Sequence, residues 1–231
     1  VTGPADAVDG ESVEISWTVV NRGPDAVAGT WWDTIYLAPN GDMGQAIELR
    51  SFARSLTVEA GKSYTRTELV ELPVHRQGLF KVYVRADASE TVLETNDENN
   101  LLGASGALTL ALRPRPDLQV TTVVAPITVT SGGVIDVEFT VTNLGPVSTP
   151  TGGSRWTDAV YLSTNRQPGG ILLGQLSNGS ALEAGGAYHT HATFQIPIAA
   201  SGEFFVVVQA DSGRQVDEYP QEDNNHNSPA A

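Results

Sequence analysis

The sequence predicts an all-β protein made of two tandem immunoglobulin-like β-sandwich domains in an elongated arrangement. Three observations predict it: a duplicated set of motifs, alternation of apolar and polar residues with a period of two, and turn signals between the alternating segments. No segment shows a sustained helical period, so helices are not expected to contribute to either core.

The duplication is visible in matching motifs that keep their order along the chain. "VEISWTVVNRGP", beginning at Val13, corresponds to "IDVEFTVTNLGP", beginning at Ile135, and "EAGKSY" at Glu59 corresponds to "EAGGAY" at Glu183. "GLFKVYVRAD" corresponds to "GEFFVVVQAD", and the closing "ETNDENN" to "EYPQEDNN". The offset stays between 122 and 125 residues throughout. One domain has therefore been duplicated.

Alternation within each copy predicts strands with one buried face. In the first copy the apolar positions of one such strand are Val13, Ile15, Trp17 and Val19. Turn sequences such as "NRGP", "PNGD" and "EAGK" separate the strands. About seven short strands per copy, with a Trp on the third, are typical of an immunoglobulin-like sandwich. The aromatic residues expected in the two cores are Trp17, Trp31, Phe139 and Trp156.

Domain boundaries follow from the repeat. The first domain is expected to span residues 1–112, a proline-rich linker residues 113–116, and the second domain residues 117–231. Two closely spaced prolines make such a linker stiff and extended. The first copy has no counterpart of "PDLQVTT" (116–122), and the second has none of "GALTLAL" (106–112). We therefore expect a first strand to be missing from one domain and a last strand from the other, which leaves edges that pair between molecules.

Composition narrows the classes of function. The net charge of −14, with scattered Lys and Arg, argues against nucleic acid as a partner. No apolar run is long enough to insert into a membrane. The absence of cysteine excludes disulfides, thiolate metal sites and cysteine nucleophiles. The first ten residues do not form a signal peptide, and the chain is expected to be part of a longer protein.

The ordered motifs "PDLQV", "VTNLGP", "WTDAVYLS", "ALEAGGAY", "GEFFVVVQAD" and "EYPQEDNN" resemble the cell adhesion related domain found in bacteria, CARDB. Both copies match, and together they cover nearly the whole chain. The resemblance implies immunoglobulin-like modules, usually in tandem, in large surface or secreted proteins of bacteria and archaea. It implies no general catalytic activity and no agreed ligand.

The chain carries none of the common catalytic motifs. There is no nucleophile elbow, phosphate-binding loop, zinc protease motif or dinucleotide fingerprint. We therefore expect a non-enzymatic spacer or adhesion segment of a bacterial extracellular or cell-surface protein. Its expected partners are neighbouring modules of the same protein, with a surface glycan or protein as a further partner. The alternatives are a carbohydrate- or protein-binding module, or an accessory region of a secreted enzyme.

The acidic segment that closes each copy is the main candidate site. Carboxylates, amides and flexible backbone supply the oxygen ligands that calcium prefers, although the spacing matches no standard calcium motif. The alternative is structural, because Asn and Asp side chains bond to nearby backbone and could secure the last strand. The candidate calcium ligands are Asp33, Asp87, Glu94, Asp97, Glu98, Asp158, Asp211, Glu218, Glu222 and Asp223. Both interpretations stay open at this stage: a hydrogen-bonded clasp without a cofactor, or the same clasp with bound calcium.

Asp33 and Asp158 join this set through strand parity. Alternation places them on the core-facing side of the third strand, beside Trp31 and Trp156. A carboxylate near a core is costly unless it is hydrogen-bonded or paired with a cation. We expect each to connect the third strand to the closing segment, through its paired asparagines or through a cation.

Outward-facing residues could bind partners. Trp32 has the opposite parity to Trp31 and is the candidate platform for a glycan; Thr157 replaces it in the second copy. Phe205 and Val207 are apolar at outward positions, so they mark a contact surface unless a loop of the same domain or the first copy covers them.

Overall fold

A computed structural model describes residues 1–94, 96–151, 156–179 and 181–229. The chain divides into two compact units, Val1–Arg113 and Pro114–Ala231, called unit 1 and unit 2 below. Each is a β-sandwich.

The strands of unit 1 are β1 (Asp6–Val8), β2 (Ser12–Val20), β3 (Val27–Pro39), β4 (Ile47–Val58), β5 (Ser63–Glu71), β6 (Gly78–Arg85), β7 (Leu101–Gly103) and β8 (Leu108–Ala111). One sheet has the order β1-β8-β6-β3-β4, with β7 also paired with β6. Facing it, β2 pairs antiparallel with β5. On the other edge of β2, Thr2 and Ser16 form an isolated β-bridge, as far as the described residues show.

The strands of unit 2 are β9 (Leu118–Val124), β10 (Val134–Asn143), β11 (Trp156–Ser163), β12 (Ile171–Asn178), β13 (Ala187–Gln195), β14 (Phe205–Gln209) and β15 (His226–Asn227). One sheet has the order β12-β11-β14-β15 and the other the order β13-β10-β9. The repeat therefore aligns β2 with β10, β3 with β11, and β5 with β13.

The two units also share details of how their strands are paired. The β3–β4 ladder shifts register between Ile35 and Tyr36, and the β11–β12 ladder shifts between Val160 and Tyr161. These are equivalent positions, so both copies bend this strand pair at the same point. The "EAG" turns before β5 and β13 each use a glycine with positive φ, Gly61 and Gly185.

Alternating apolar side chains from facing sheets fill each sandwich. The predicted core aromatics are confirmed as buried: Trp17, Trp31, Phe139 and Trp156. The predicted immunoglobulin-like β-sandwich class is confirmed by this architecture. Helical structure among the described residues includes 3-10 turns at Met43–Gln45 and Asp97–Asn100. In the same residues, no helix has the length and apolar character required to cross a bilayer.

Candidate functional site

Asp33 lies fully buried on β3, as its parity predicts, and its partners are aromatic donors. Trp17 Nε1 donates to Asp33 Oδ2 at 2.8 Å, and the hydroxyl of Tyr64 donates to the same oxygen at 2.8 Å. Tyr64 in turn accepts a hydrogen bond from Trp31 Nε1 at 3.0 Å. Asp33 thereby connects β3 to β2 and β5 across the core. The predicted asparagine partner is not the one found for this residue: among the described residues, the indole N–H of Trp17 and the hydroxyl of Tyr64 bond to the carboxylate. A cation partner stays a prediction.

Asp158 occupies the equivalent position on β11 and keeps part of this network. The hydroxyl of Tyr188 donates to its Oδ2, and Trp156 Nε1 donates to that hydroxyl at 3.2 Å. Phe139 replaces Trp17 and offers no donor, and here the backbone N–H of Asp211 donates to Asp158 Oδ1 at 3.2 Å. Burial raises the pKa of Asp158 to about 6 and also raises the pKa of Tyr188. The predicted link from the third strand to the closing segment thus exists in unit 2, through a backbone amide rather than through the asparagines.

Asp87 and Asp211 begin the two closing segments and organise the loop that follows. Both have positive φ, 42° and 43°. Their carboxylates accept backbone N–H groups from residues four and five positions later, at distances of 2.7 to 3.0 Å: Thr91 and Val92 in unit 1, Gln215 and Val216 in unit 2. Burial raises the pKa of Asp211. These carboxylates therefore close a loop by bonding to its backbone, the behaviour expected of a structural Asp.

Glu218 is fully buried in unit 2 and joins the two ends of that unit. Its carboxylate accepts the backbone N–H of Leu118 on β9 and the side-chain N–H of Asn225. Its own backbone N–H donates to Glu222 Oε1 at 2.8 Å. Burial raises the pKa of Glu218 to about 8. Two buried oxygens beside it, Glu222 Oε2 and Asn225 Oδ1, have no hydrogen-bond donor among the described residues.

The equivalent cluster in unit 1 is more open. Glu94 matches Glu218 and accepts a hydrogen bond from Asn100 Nδ2 at 3.1 Å, but it is only half-buried. Asp97 and Glu98 are exposed in the 3-10 turn. In unit 2, the exposed Asp223 pairs with Arg214 at 2.9 Å. The predicted acidic residues are thus divided between buried anchors and solvated surface positions.

Asparagines in the "NRGP" and "NLGP" turns are further buried anchors, and sequence reasoning treated them only as turn residues. Asn143 is fully buried; its Nδ2 donates to the carbonyl oxygens of Val147, Leu182 and Glu183, and its Oδ1 accepts from Asp117 N and Gly145 N. Asn21, its counterpart, is half-buried and accepts from Gly23 N. The signal that could have found them is an Asn at the same position of both repeats, directly after a buried strand.

The geometry fits a clasp better than a metal centre. Among the described residues, no group of three or more His, Asp or Glu side chains is arranged to hold a metal ion. The oxygens of Asp33, Asp87, Asp211 and Glu218 accept N–H or O–H donors at positions where an ion would need them. Calcium binding stays a prediction for the chain.

The three residues predicted to face outward, Trp32, Phe205 and Val207, differ in solvent exposure. Trp32 is 45% exposed, as its parity predicts. Val207 is fully buried, and Phe205 is half-buried with the Arg166 guanidinium 4.5 Å from its ring centroid. The expectation of an exposed contact surface at Phe205 and Val207 is therefore corrected: other parts of the protein cover both residues.

Comparison with known proteins identifies the family. The CARDB family model matches residues 1–104 and 115–229. No curated protein sequence matches the chain. Among solved structures, the chain is similar to the CARDB domain of the PF1109 protein from Pyrococcus furiosus, determined in complex with di-metal ions. That likeness has 20% identity and a TM-score of 0.36, and it covers 48% of this chain and 89% of that one.

Two other solved structures have still lower similarity. Red sea bream transglutaminase is 15% identical with a TM-score of 0.31, over 91% of this chain and 28% of that one. The class 5 fimbriae chaperone CfaA is 11% identical with a TM-score of 0.25, over 99% of this chain and 97% of that one. Likenesses at this level say nothing of function. The family model, which matches both repeats and most of the chain, shows that this protein belongs to the CARDB family as a tandem pair of CARDB modules.

Proposed function

We propose that the chain is a non-catalytic pair of spacer or adhesion modules in a bacterial extracellular protein. The observation that carries the proposal is the use of the buried carboxylates. Asp33, Asp87, Asp158, Asp211 and Glu218 all bond to donors of their own unit, whereas a catalytic carboxylate must direct a free oxygen at a substrate. Polar chemistry inside each sandwich thus serves to hold strands and loops together.

The proposed setting is the cell surface or the medium. CARDB is an adhesion-related domain family, and the high negative charge keeps such a module soluble and disfavours nucleic acid. Neighbouring modules of the same protein are the proposed partners. The closing segments act as hydrogen-bonded clasps in this proposal, and calcium is the alternative occupant.

The calcium alternative can be tested by chelation. An ion that binds only the folded state raises the free energy of unfolding by RT ln(1 + [L]/Kd), where [L] is the free ion concentration. The clasp proposal expects the same melting temperature in EDTA and in excess calcium. Calcium binding would be established if the melting temperature falls in EDTA and recovers when calcium is added. Glu222→Gln in unit 2 should then abolish this fall. Glu203→Gln, the same change at an exposed position of unit 2 outside the closing segment, is the matched control.

A second candidate function, glycan binding, rests on the exposed indole of Trp32. Large exposed aromatic faces are the usual platforms for sugar rings, and the Trp32 side chain lies on the outward face of β3. A glycan array tests this second function: a spacer, or a module that adheres through protein contacts, binds no glycan, whereas a glycan-binding module retains one. Binding that is lost in Trp32→Ala and kept in Thr157→Ala, the equivalent change in unit 2, would replace the spacer proposal.

A further inference from the structure

One side of unit 1, between β4 and β5, carries a group of arginines. β4 and β5 are terminal strands of the two facing sheets. Arg50 and Arg54 lie on β4, and Arg66 lies on β5. Arg66 joins the two strands, because its Nη1 donates to the carbonyl oxygen of Ala53 on β4 at 2.8 Å. This side of unit 1, with its three arginines, is called the arginine edge below.

The guanidinium groups of the arginine edge lie on aromatic rings. Those of Arg66 and Arg50 are 4.8 and 5.3 Å from the ring centroid of Phe52. That of Arg54 is 4.9 Å from the ring centroid of Tyr64. An aromatic face attracts a cation and stacks with the planar guanidinium. The rings therefore orient the three positive groups along the edge.

Two of these arginines have hydrogen-bond donors that the unit does not use. Arg66 donates to Glu68 Oε1 at 2.6 Å as well as to Ala53. Arg50 and Arg54 have no acceptor among the described residues, and Arg54 Nε is also buried from solvent. A guanidinium has five N–H donors and can bind a carboxylate through two of them at once. Arg50 and Arg54 can therefore each take a carboxylate from outside the unit.

Nearby acidic residues balance only part of this positive charge. Glu68 is paired with Arg66, and the buried Asp33 accepts the hydroxyl of Tyr64, on which Arg54 lies. Two acidic groups thus accompany three arginines. The arginine edge is positive in a chain whose net charge is −14, so it differs from the rest of the surface.

Unit 2 folds without this group of arginines. The equivalent positions follow from the shared pairing of β3 with β4 and β11 with β12, and of β2 with β5 and β10 with β13. β12 also ends its sheet, so protection of an exposed edge does not account for the arginines of β4. The residues at the three equivalent positions of unit 2 are Gly174, Asn178 and Thr190.

The spacing of the arginines indicates a ligand with several carboxylates. Arg50 and Arg54 are four residues apart on one strand, which separates their Cα atoms by about 13 Å. A single carboxylate is too small to bind both. A ligand that uses both arginines must therefore carry carboxylates at intervals along a chain.

Two features favour a polysaccharide over a peptide as this chain. An added peptide strand would need the backbone acceptors of β4, but Arg66 already occupies the carbonyl oxygen of Ala53. Ala53 is also the residue paired with Trp32, so the exposed indole lies beside the arginine edge. An exposed indole offers an apolar face against which a sugar ring can stack.

We propose that the arginine edge of unit 1 binds an acidic polysaccharide, with Arg50 and Arg54 each binding the carboxylate of a different sugar. The choice of a polysaccharide rests on the glycan-binding candidate function of Trp32, and the arginines add the requirement that the glycan is negatively charged. Phe52 and Tyr64 hold the two guanidinium groups in place.

The test titrates the full chain with a short oligogalacturonate and measures the Kd by calorimetry. EDTA is present, so that calcium cannot bridge the acidic ligand to the acidic protein. The fully methyl-esterified form of the same oligomer is the control ligand, because it keeps the sugar chain and lacks the charge. The test variant is Arg50→Gln combined with Arg54→Gln. The control variant is Arg76→Gln combined with Arg214→Gln, which removes the same charge at exposed positions outside the arginine edge.

We expect the oligogalacturonate to bind at least about tenfold more tightly than its methyl ester. The test variant should lose at least about tenfold in affinity for the acidic form, and the control variant should bind it like the wild type. Arg50→Gln alone, at an exposed position, should weaken binding several-fold, and it serves as the test if Arg54→Gln unfolds unit 1.

Equal affinity of the wild type and the test variant would overturn the proposal. If a neutral glycan then binds and Trp32→Ala removes it, the glycan-binding candidate function stands without the arginine edge. If no glycan binds, both fail. Polyglutamate that binds as tightly as the oligogalacturonate would also overturn the proposal, because the occupant would then be an acidic peptide.

Discussion

Unit 2 is expected to lose stability as the pH rises, because Glu218 is buried. Replacing Glu218 with glutamine should remove this pH dependence. Burial raises the pKa of Glu218 from 4.5 to about 8. Between these values the folded state retains a proton that the unfolded state has released. The group therefore stabilises the fold fully below pH 4.5, and this stabilisation is lost as the pH rises to about 8.

The magnitude follows from the width of that interval. Each pH unit in which only the folded state is protonated lowers the free energy of unfolding by about 1.4 kcal/mol. Over the interval from pH 4.5 to about 8 the loss is about 5 kcal/mol, a large part of the stability of a domain of this size.

Glutamine is a close substitute because it resembles the protonated acid. Its carbonyl oxygen can accept Leu118 N. Its amide can donate to Asn225 Oδ1, which has no donor among the described residues, once the Asn225 side-chain amide turns over so that Oδ1 replaces Nδ2 in this contact. Glu218→Gln should therefore match the wild type near pH 4.5 and exceed it near pH 8. Glu218→Ala, in contrast, should weaken unit 2 at both values, because Leu118 N and Asn225 lose their buried acceptor.

The assay must report on the two units separately. Pulse-labelling hydrogen exchange in a urea series gives a midpoint for peptides of each unit, at pH 4.5 and near pH 8. Glu94→Gln, the equivalent change in unit 1, should leave unit 2 unchanged. The difference between wild type and Glu218→Gln cancels the pH dependence that Asp158, whose pKa is also raised, contributes to both proteins. A difference that is the same at both pH values would refute the reasoning.

Two further pairs of substitutions test other contacts, each pair comparing equivalent positions of the two units. Tyr188→Phe removes a donor from Asp158 and an acceptor from Trp156, so the urea midpoint of unit 2 should fall by the equivalent of roughly 2–4 kcal/mol. Tyr64→Phe should weaken unit 1 less, because Trp17 still donates at 2.8 Å to the Asp33 oxygen that Tyr64 contacts, whereas Asp158 Oδ2 loses its donor and Oδ1 keeps only the Asp211 N–H at 3.2 Å. An equal loss in both units would contradict this account. Gly145→Ala should destabilise unit 2 through its clash with the backbone before β9, whereas Gly23→Ala should be tolerated, as thermal unfolding can show.

The parts of the fold that the sequence could predict are those that depend on repetition and parity. Alternation determines which side of a strand faces the core, and this placed Trp17, Trp31 and Asp33 correctly. The hydrogen-bond partners of Asp33 were harder to predict, because they lie on other strands. Tyr64 was nevertheless visible as the last residue of a repeated motif, and a buried tyrosine hydroxyl needs a partner.

The alternation of residues along a strand does not always predict burial, as Val207 illustrates. Its position on β14 alternates with core residues, so the pattern predicts exposure. The residue is nevertheless fully buried, since neighbouring groups cover this side of the sheet, and the strand pattern itself does not encode them. For the same reason, Glu218 resembled its exposed acidic neighbours in sequence, although its contact with β9, a hundred residues earlier, makes it a buried group.

The side-by-side arrangement of β9 and the closing segment of unit 2 has a mechanical consequence. Asn224 Nδ2 bonds to Asp117 Oδ1, and Asn227 Nδ2 bonds to the carbonyl oxygen of Val120, so the two segments run in the same direction. Tension applied at the two ends of the unit pulls the first segment backward and the second forward. The contacts are then sheared together, whereas strands peeled from one end break their contacts one at a time. A module tied in this way resists extension until several bonds fail at once.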